Sequence, residues 1–369
     1  MKIFYISNAR LPTEKAHGVA VMKTCEALVK AGHEVELLVP NRRNTLTDDP
    51  FLYYGIKTTF PLRTLPTVDL PWGRFGFLLQ EISFAVATIF FLRRKEGVIY
   101  SRDYMPLYVL SLFGFNRFVW ESHTGAWNAA ARYVAKRAAA IVVISNGLKE
   151  FYVEKGMSAE KITVIPSAIE LGQFANPESK EVARKRLRLP QDKKIALYIG
   201  RLDGWKGSAT LLETSKLLLP EIVVGVVGGE PHQIEELKSR YPGVLFLGFR
   251  PYTELADNQA AADVLVVPNT GKDLISARFT SPLKLIAHMA SARPIVASDL
   301  PSIREIVGDD AALLVPADDS RALAEGIRKV LANDSLGGTL AKRALEKVGR
   351  YTWDSRAKSM GNILVRLTP

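Results

Sequence analysis

The chain has 369 residues, 47% hydrophobic and 24% charged, with one cysteine and a formal net charge of +11. That length predicts two domains of ordinary size, and the composition excludes a long disordered or collagen-like chain. A single cysteine excludes an internal disulfide framework, which fits a reducing compartment.

In chain order, MKIFYIS lacks the charged and apolar regions of a signal peptide and reads as a first strand from Lys2 to Ser7. Residues 18–31 place Val19, Met22, Ala27 and Leu28 at helical spacing, and Gly32 ends the helix. Cys25 lies in that pattern and is expected to be a buried structural thiol. HEVELLVP makes a second strand, so the opening is a strand–helix–strand unit with a parallel sheet. Residues 41–73 carry no clear pattern. Residues 75–92 are apolar, flanked by Arg74 and by Arg93, Arg94 and Lys95, slightly short for a membrane span, and interrupted by Gln80 and Glu81. The expectation is a buried helix packed on a sheet. GVIYSR, RFVWES, AAIVVIS and ITVIPS follow as short β-rich runs, mostly separated by helix-like segments.

Residues 167–190 are polar and break the pattern, which then restarts. IALYIGRL, EIVVGVVGG, GVLFLGF, ADVLVVPN and PIVAS read as strands, with SATLLETSKLLL and LKLIAHMASAR as helices between some of them. The domains are expected at 1–166 and 167–350, with residues 351–369 forming a terminal helix that returns toward the first domain. The fold class is α/β, made of two doubly wound Rossmann-like domains facing across a cleft.

In open α/β sheets ligands bind beyond the carboxyl ends of the strands, so the residues after each strand are the site candidates. The first strand leads through NARLPTEKAHG, which is not the dinucleotide fingerprint and argues against a nicotinamide or flavin enzyme. Here His17 could donate to a phosphate, and Gly18 would let backbone N–H groups approach an anion. In the second domain Arg201 and Lys206 stand five apart on the loop after a strand, an arginine fork and a lysine point charge suited to a diphosphate. In a transfer reaction they would stabilise charge growing on the leaving group. Ser281, Pro282, Leu283 and Lys284 open a helix and form a second candidate cradle for phosphate or sugar. His123 lies at another strand end. No His/Cys cluster has metal-ligand spacing, so no metal is expected.

These segments, in this order and spacing, resemble the retaining glycosyltransferases of family 4, of GT-B architecture, over nearly the whole chain. The resemblance rests on RLPTEKAHGVAVMKTCEALVKAGHEVELLVP, VVISNGLKEFYVEKGMSAEKITVIPS, GRLDGWKG, VGGEPHQIEEL, ADVLVVPN and SPLKLIAHMASARPIVASDLPSIREIV. It implies transfer of a sugar from a nucleoside diphosphate sugar to a lipid-linked or glycan acceptor with retention of configuration. It further implies a one-face reaction in which the leaving phosphate helps deprotonate the acceptor, with no metal or other cofactor. Arg201 and Lys206 match the family's diphosphate pair, His123 a histidine near the reacting sugar, and His17 with Gly18 the loop that closes over donor and acceptor. The family often carries two glutamates eight positions apart, and here those positions are Phe279 and Ala287. An aromatic at the first fits the SPLK-type branch. Ala287 replaces the glutamate that holds the ribose, a charge-assisted pair worth about 1.5–3 kcal/mol. His288 is adjacent but faces another way on a helix. Ser167-Ala168-Ile169-Glu170 also departs from the family's usual Asn-Gly-Val-Asp.

The alternative is a non-catalytic relative that binds a nucleotide-sugar without the ribose clamp. A sugar-nucleotide epimerase is disfavoured because no set of acid/base carboxylates can be assigned. Nucleic acid is not expected as a partner, because basic residues are not interleaved with aromatics. The basic excess is uneven, with 21 basic and 14 acidic residues in 1–165. Arg132, Lys136 and Arg137 at helical spacing, with Trp127 nearby and Arg93 to Lys95, are expected to face an anionic membrane. The expected location is cytoplasmic, peripheral to the inner face of the cell membrane.

Overall fold

The computed structural model describes every residue except Asp203, Thr368 and Pro369. Asp203 belongs to the Arg201–Lys206 loop quoted above and lies outside the described residues. The chain divides into two compact units, Met1–Ser167 together with the chain from Trp353 onward, and Ala168–Thr352.

The first unit is a seven-stranded parallel sheet in the order β3-β2-β1-β4-β5-β6-β7. Its strands are β1 (Lys2–Ile6), β2 (Glu34–Pro40), β3 (Leu62–Leu65), β4 (Val98–Ser101), β5 (Phe118–Ser122), β6 (Ala140–Val143) and β7 (Ile162–Val164). Strands such as FVWES and AIVV are buried along their whole length, because helices cover both faces of a parallel sheet. The strand order reverses between β1 and β4, so the loops after those two strands diverge and leave a crevice. The helix Ala16–Lys30 buries Val19, Met22, Cys25 and Leu28 and packs against the terminal helix Trp353–Val365.

The second unit is a six-stranded parallel sheet in the order β10-β9-β8-β11-β12-β13. Its strands are β8 (Lys194–Ile199), β9 (Ile222–Val227), β10 (Leu245–Gly248), β11 (Val264–Val267), β12 (Ile295–Ser298) and β13 (Leu313–Val315). The order reverses between β8 and β11. Apolar clusters fill both faces, one built on Tyr198, Leu211, Val226 and Ile327, the others on Leu197 and Leu265 and on Ile286, Met289 and Ile303.

The helix Gly73–Leu92 departs from expectation. It is long and apolar enough by composition to cross a membrane, yet it rests on β2, β3 and the neighbouring helix Tyr104–Leu112. Its polar Gln80 and Thr88 are buried, while Phe75, Leu78, Ile82, Val86 and Phe90 are exposed. Gln80 goes inward because its amide donates to Asn8 Oδ1 (2.7 Å), and Thr88 because its hydroxyl donates to the Phe84 carbonyl (2.8 Å). The buried helix expected from composition is therefore buried on one face only.

Candidate functional site

In the first unit the candidate residues gather around Arg102, which follows β4 at the switch point. Its guanidinium lies 3.1 Å from His123 Nδ1, and His123 Nε2 contacts Glu121 Oε1. The arginine can only donate, so Nδ1 accepts and the ring's proton sits on Nε2, donated to the carboxylate. Burial first, then the Arg102 charge, lowers the His123 pKa to about 4, against the opposing pull of Glu121. The ring is neutral near pH 7, and both nitrogens are engaged.

Glu121 is fully buried. Burial alone would raise its pKa, but Arg356, His123 and Arg102 outweigh that and hold it well below the usual carboxylate range. Tyr100 Oη donates to its other oxygen. Arg356, from the terminal helix, donates to Glu121 Oε1 (2.6 Å) and to the carbonyls of Ile165 (2.8 Å) and Pro166 (2.6 Å). Sequence reading did not find Arg102, Glu121 or Arg356. The signal for Arg102 and Glu121 was their position at strand ends; Arg356 had none, because its partner is 235 residues away.

His17 stands in the first turn of the Ala16–Lys30 helix. Burial, then the charges of Arg102 and Lys15, lower its pKa to about 4, so Arg102 influences both candidate histidines. The Gly18 amide donates to the Lys15 carbonyl (3.0 Å). A Cβ at Gly18 would lie 2.1 Å from Tyr54 Oη, whose hydroxyl bridges the Thr13 amide and carbonyl. The close approach of that ring therefore gives the glycine a packing reason of its own.

In the second unit the loops after β8 and β11 flank the switch point. Arg201 and Lys206 lie on the first, and the Tyr198 hydroxyl holds the loop by donating to the Arg201 carbonyl (2.7 Å). Gly207 ends this loop at φ +72°, and a Cβ there would lie 1.6 Å from the Pro268 carbonyl oxygen. The loop after β8 is thus seated directly on the backbone after β11.

Lys284, in the first turn of the helix Leu283–Ala290, reaches into the same end of the sheet. Its ammonium is 4.7 Å from the Tyr198 ring centroid, buried, and makes no hydrogen bond within the described residues. Burial, then the Lys206 charge, holds its pKa well below the ordinary lysine value. Lys284 and Lys206 therefore lie within electrostatic reach of each other, although the sequence pattern assigned them to two separate candidate cradles. Asn269, after β11, is also fully buried, with both side-chain polar atoms lacking a partner. Sequence reading missed it.

Ser281 is buried, and Pro282 caps the helix and offers no N–H. Leu283 packs on the apolar cluster around Ile286. Ala287 is 1% exposed and belongs to that cluster. His288 is buried beside Gln259, 2.9 Å from its amide, with a pKa lowered to about 3 by burial and then by Lys284. Among the described residues no group of three or more His, Cys, Asp and Glu is arranged to hold a metal.

The two doubly wound parallel sheets, of seven and six strands, make the pair of Rossmann-like domains of a GT-B fold. Residues 17–173 match the family model described as Glycosyltransferase Family 4, and residues 193–333 match Glycosyl transferases group 1. The two matches together give the chain successive glycosyltransferase domains, a family 4 domain followed by a group 1 domain.

Among its relatives is a protein described as the putative teichuronic acid biosynthesis glycosyltransferase TuaC of Bacillus subtilis. It is 30% identical over 224 residues, covering 60% of this chain and 54% of that protein. The phosphatidyl-myo-inositol mannosyltransferase of Mycolicibacterium smegmatis is 30% identical over 196 residues, covering 51% of this chain and 48% of the relative. The chain thus spans about half the length of the curated relatives it matches. Among solved structures, sucrose-phosphate synthase of Thermosynechococcus elongatus superposes with a TM-score of 0.80 at 24% identity, over 99% of this chain and 98% of that one.

Proposed function

We propose that the chain transfers a sugar from a nucleoside diphosphate sugar to a lipid-linked or glycan acceptor with retention of configuration. The observation that carries this reading is Lys284, a buried ammonium without a hydrogen-bond partner, set near Lys206 at the switch point of a group 1 domain. A diphosphate would supply the anion that such a group lacks. Arg201, Lys206 and Lys284 would stabilise the charge that develops as the sugar–phosphate bond breaks. Retention follows from the resemblance to family 4: the acceptor attacks on the face the nucleotide leaves, and the departing phosphate takes the acceptor proton.

His123 is then a neutral, oriented group beside the reacting sugar rather than a base, because its Nε2–H donates to Glu121 and its Nδ1 lone pair already accepts from Arg102. No resident metal is required, so chelation is expected to leave turnover unchanged. The location that suits a lipid-linked acceptor is the cytoplasmic face of the cell membrane. The mannosyltransferase relative, whose name carries a phosphatidylinositol, supports an acceptor of that type.

The test is a panel of UDP-, GDP- and dTDP-sugars, scored for binding and for acceptor-dependent nucleotide release. Turnover with at least one donor is expected, and its absence with every donor would sink the enzyme reading. A second reading is favoured by Ala287, which stands in an apolar cluster where relatives of this branch carry a ribose-binding carboxylate. On that reading the chain binds a nucleotide-sugar and does not turn it over.

A further inference from the structure

The first unit holds a cavity of about 520 Å³ at the carboxyl ends of β1, β2 and β3, lined by Arg10, Arg42, Arg43, Asp69 and Phe77 among others. None of these residues belongs to the cluster around Arg102. Arg42 is fixed: its Nε is 3.4 Å from Asp69 Oδ1, and its guanidinium lies 6.0 Å from the Phe77 ring centroid. The other Asp69 oxygen accepts from the Arg43 amide (2.9 Å). The carboxylate is therefore committed to Arg42 and to backbone. The guanidiniums of Arg10 and Arg43 form no ion pair among the described residues. A cavity with three arginines and one occupied carboxylate is built for an anion of more than one charge, and arginine forks match phosphate oxygens two at a time.

Gly73, Gly76 and Phe77 bring the start of the Gly73–Leu92 helix into the cavity wall. From there Phe75, Leu78, Ile82, Val86 and Phe90 follow at intervals of three or four residues and form one exposed stripe along the helix. Trp72 is 59% exposed and Phe75 63% exposed, with their rings stacked at 6.3 Å. Phe90 is 62% exposed beneath the Arg93 guanidinium, and Arg94 follows in sequence. Leu112 and Phe113 add exposed apolar surface at the end of the adjoining helix. A contiguous apolar patch bounded by tryptophan and arginine fits the interfacial layer of an anionic bilayer, where aromatic rings sit at headgroup depth.

We propose that this cavity binds the phosphate of a membrane lipid, with the lipid's apolar part leading onto the exposed stripe of the Gly73–Leu92 helix. Resting on the glycosyltransferase reading above, that lipid phosphate is the acceptor's anchor. The helix lies in the membrane surface and does not cross it, since its other face is packed on the sheet. The membrane-facing element is thus this helix. The Ala129–Arg137 helix is a weaker candidate, because Trp127 beside it packs against Phe151 and Tyr152.

The test is sedimentation of the full chain with phosphatidylcholine vesicles and with vesicles that also contain phosphatidylglycerol. UDP and GDP binding is titrated separately, without vesicles. The chain is expected to prefer the anionic vesicles, and the exposed double variant Arg10→Ser/Arg43→Ser to bind them about thirtyfold more weakly. Phe75→Ser/Phe90→Ser is expected to weaken vesicle binding while leaving thermal stability and nucleotide binding unchanged. Equal binding to both vesicle types, or binding indifferent to the arginine pair, overturns the proposal. Calorimetric binding of soluble glycerol 3-phosphate without vesicle binding would assign the cavity to a free phosphoester and also overturn it. In each of these cases intact nucleotide binding leaves the transferase reading standing, whereas vesicle binding without nucleotide binding removes that reading alone.

Discussion

The switch-point ends of the two sheets solve opposite problems. In the first unit a buried carboxylate, Glu121, is surrounded by Tyr100, His123 and Arg356, and each neighbouring donor has its acceptor. In the second unit the ammonium of Lys284 is buried with no hydrogen-bond acceptor among the described residues and lies near Lys206, and the Asn269 side chain is equally unsatisfied. The first arrangement satisfies its carboxylate without a ligand and fixes the orientation of a ring, leaving the buried Nη1 of Arg102 without a partner among the described residues. The second leaves polar groups whose desolvation is uncompensated, a cost natural proteins accept at binding sites. Fixing geometry and storing affinity are thus divided between two copies of one fold.

The strongest way to break the comparison is to remove Arg356. Arg356→Met leaves Glu121 buried without its main counter-charge and should cost about 3–5 kcal/mol of stability, read from urea unfolding followed by circular dichroism. Adding Glu121→Gln should recover part of that loss. If Arg356→Met is as stable as the parent, the compensation assigned to the first unit is wrong.

Next in size is Lys206→Ala. Its expected effect is a 10²–10³-fold fall in kcat, about 2.7–4 kcal/mol, with the fold intact by circular dichroism. An unchanged kcat would place the stabilising charge elsewhere.

Ala287→Glu sharpens the comparison by adding an acceptor one helical turn from Lys284. It should tighten nucleotide binding ten- to a hundredfold, about 1.5–3 kcal/mol, measured by calorimetry. Loss of the fold instead would mean that this helix face is solely core, as the packing of Ala287 with Ile286 and Met289 allows.

The smallest effect concerns Glu81, a carboxyl group of the first unit whose pKa burial, unlike at Glu121, succeeds in raising. Burial, then the Asp103 charge, raises its pKa from 4.5 to about 7. Protonation is therefore favoured by folding. The stabilisation is complete below pH 4.5 and is lost as pH rises to about 7. Glu81→Gln should flatten that fall in melting temperature between pH 5 and 8. A parallel fall in both proteins would show that Glu81 is not its source.

The sheets were legible because fully buried parallel strands are continuous apolar runs: FVWES and AIVV can hardly be anything else in a chain of this kind. β3, with the sequence LRTL, was not legible. It is four residues long, and three of them are at least partly exposed. Lys206 and Lys284 were each legible as cations at strand ends, but their nearness to one another was not, because it depends on how the loops after β8 and β11 pack. The network on Glu121 was not, since no local pattern marks a carboxylate whose partners come from β4 and the last helix. The Gly73–Leu92 helix misled because mean hydropathy does not say which face is covered. The spacing of Phe75, Leu78, Ile82, Val86 and Phe90 held that information, but the buried Gln80 and Thr88 invert the usual rule.

The reach of Arg356 back to Glu121 also sets an order of events during synthesis. The partners are 235 residues apart, so at about 5–20 residues per second the ribosome needs roughly 12–47 s to deliver the arginine after the glutamate. Throughout that interval the second unit is being made, and β5 lacks the main counter-ion of its carboxylate. The half of the protein that is translated first is therefore the half that finishes folding last.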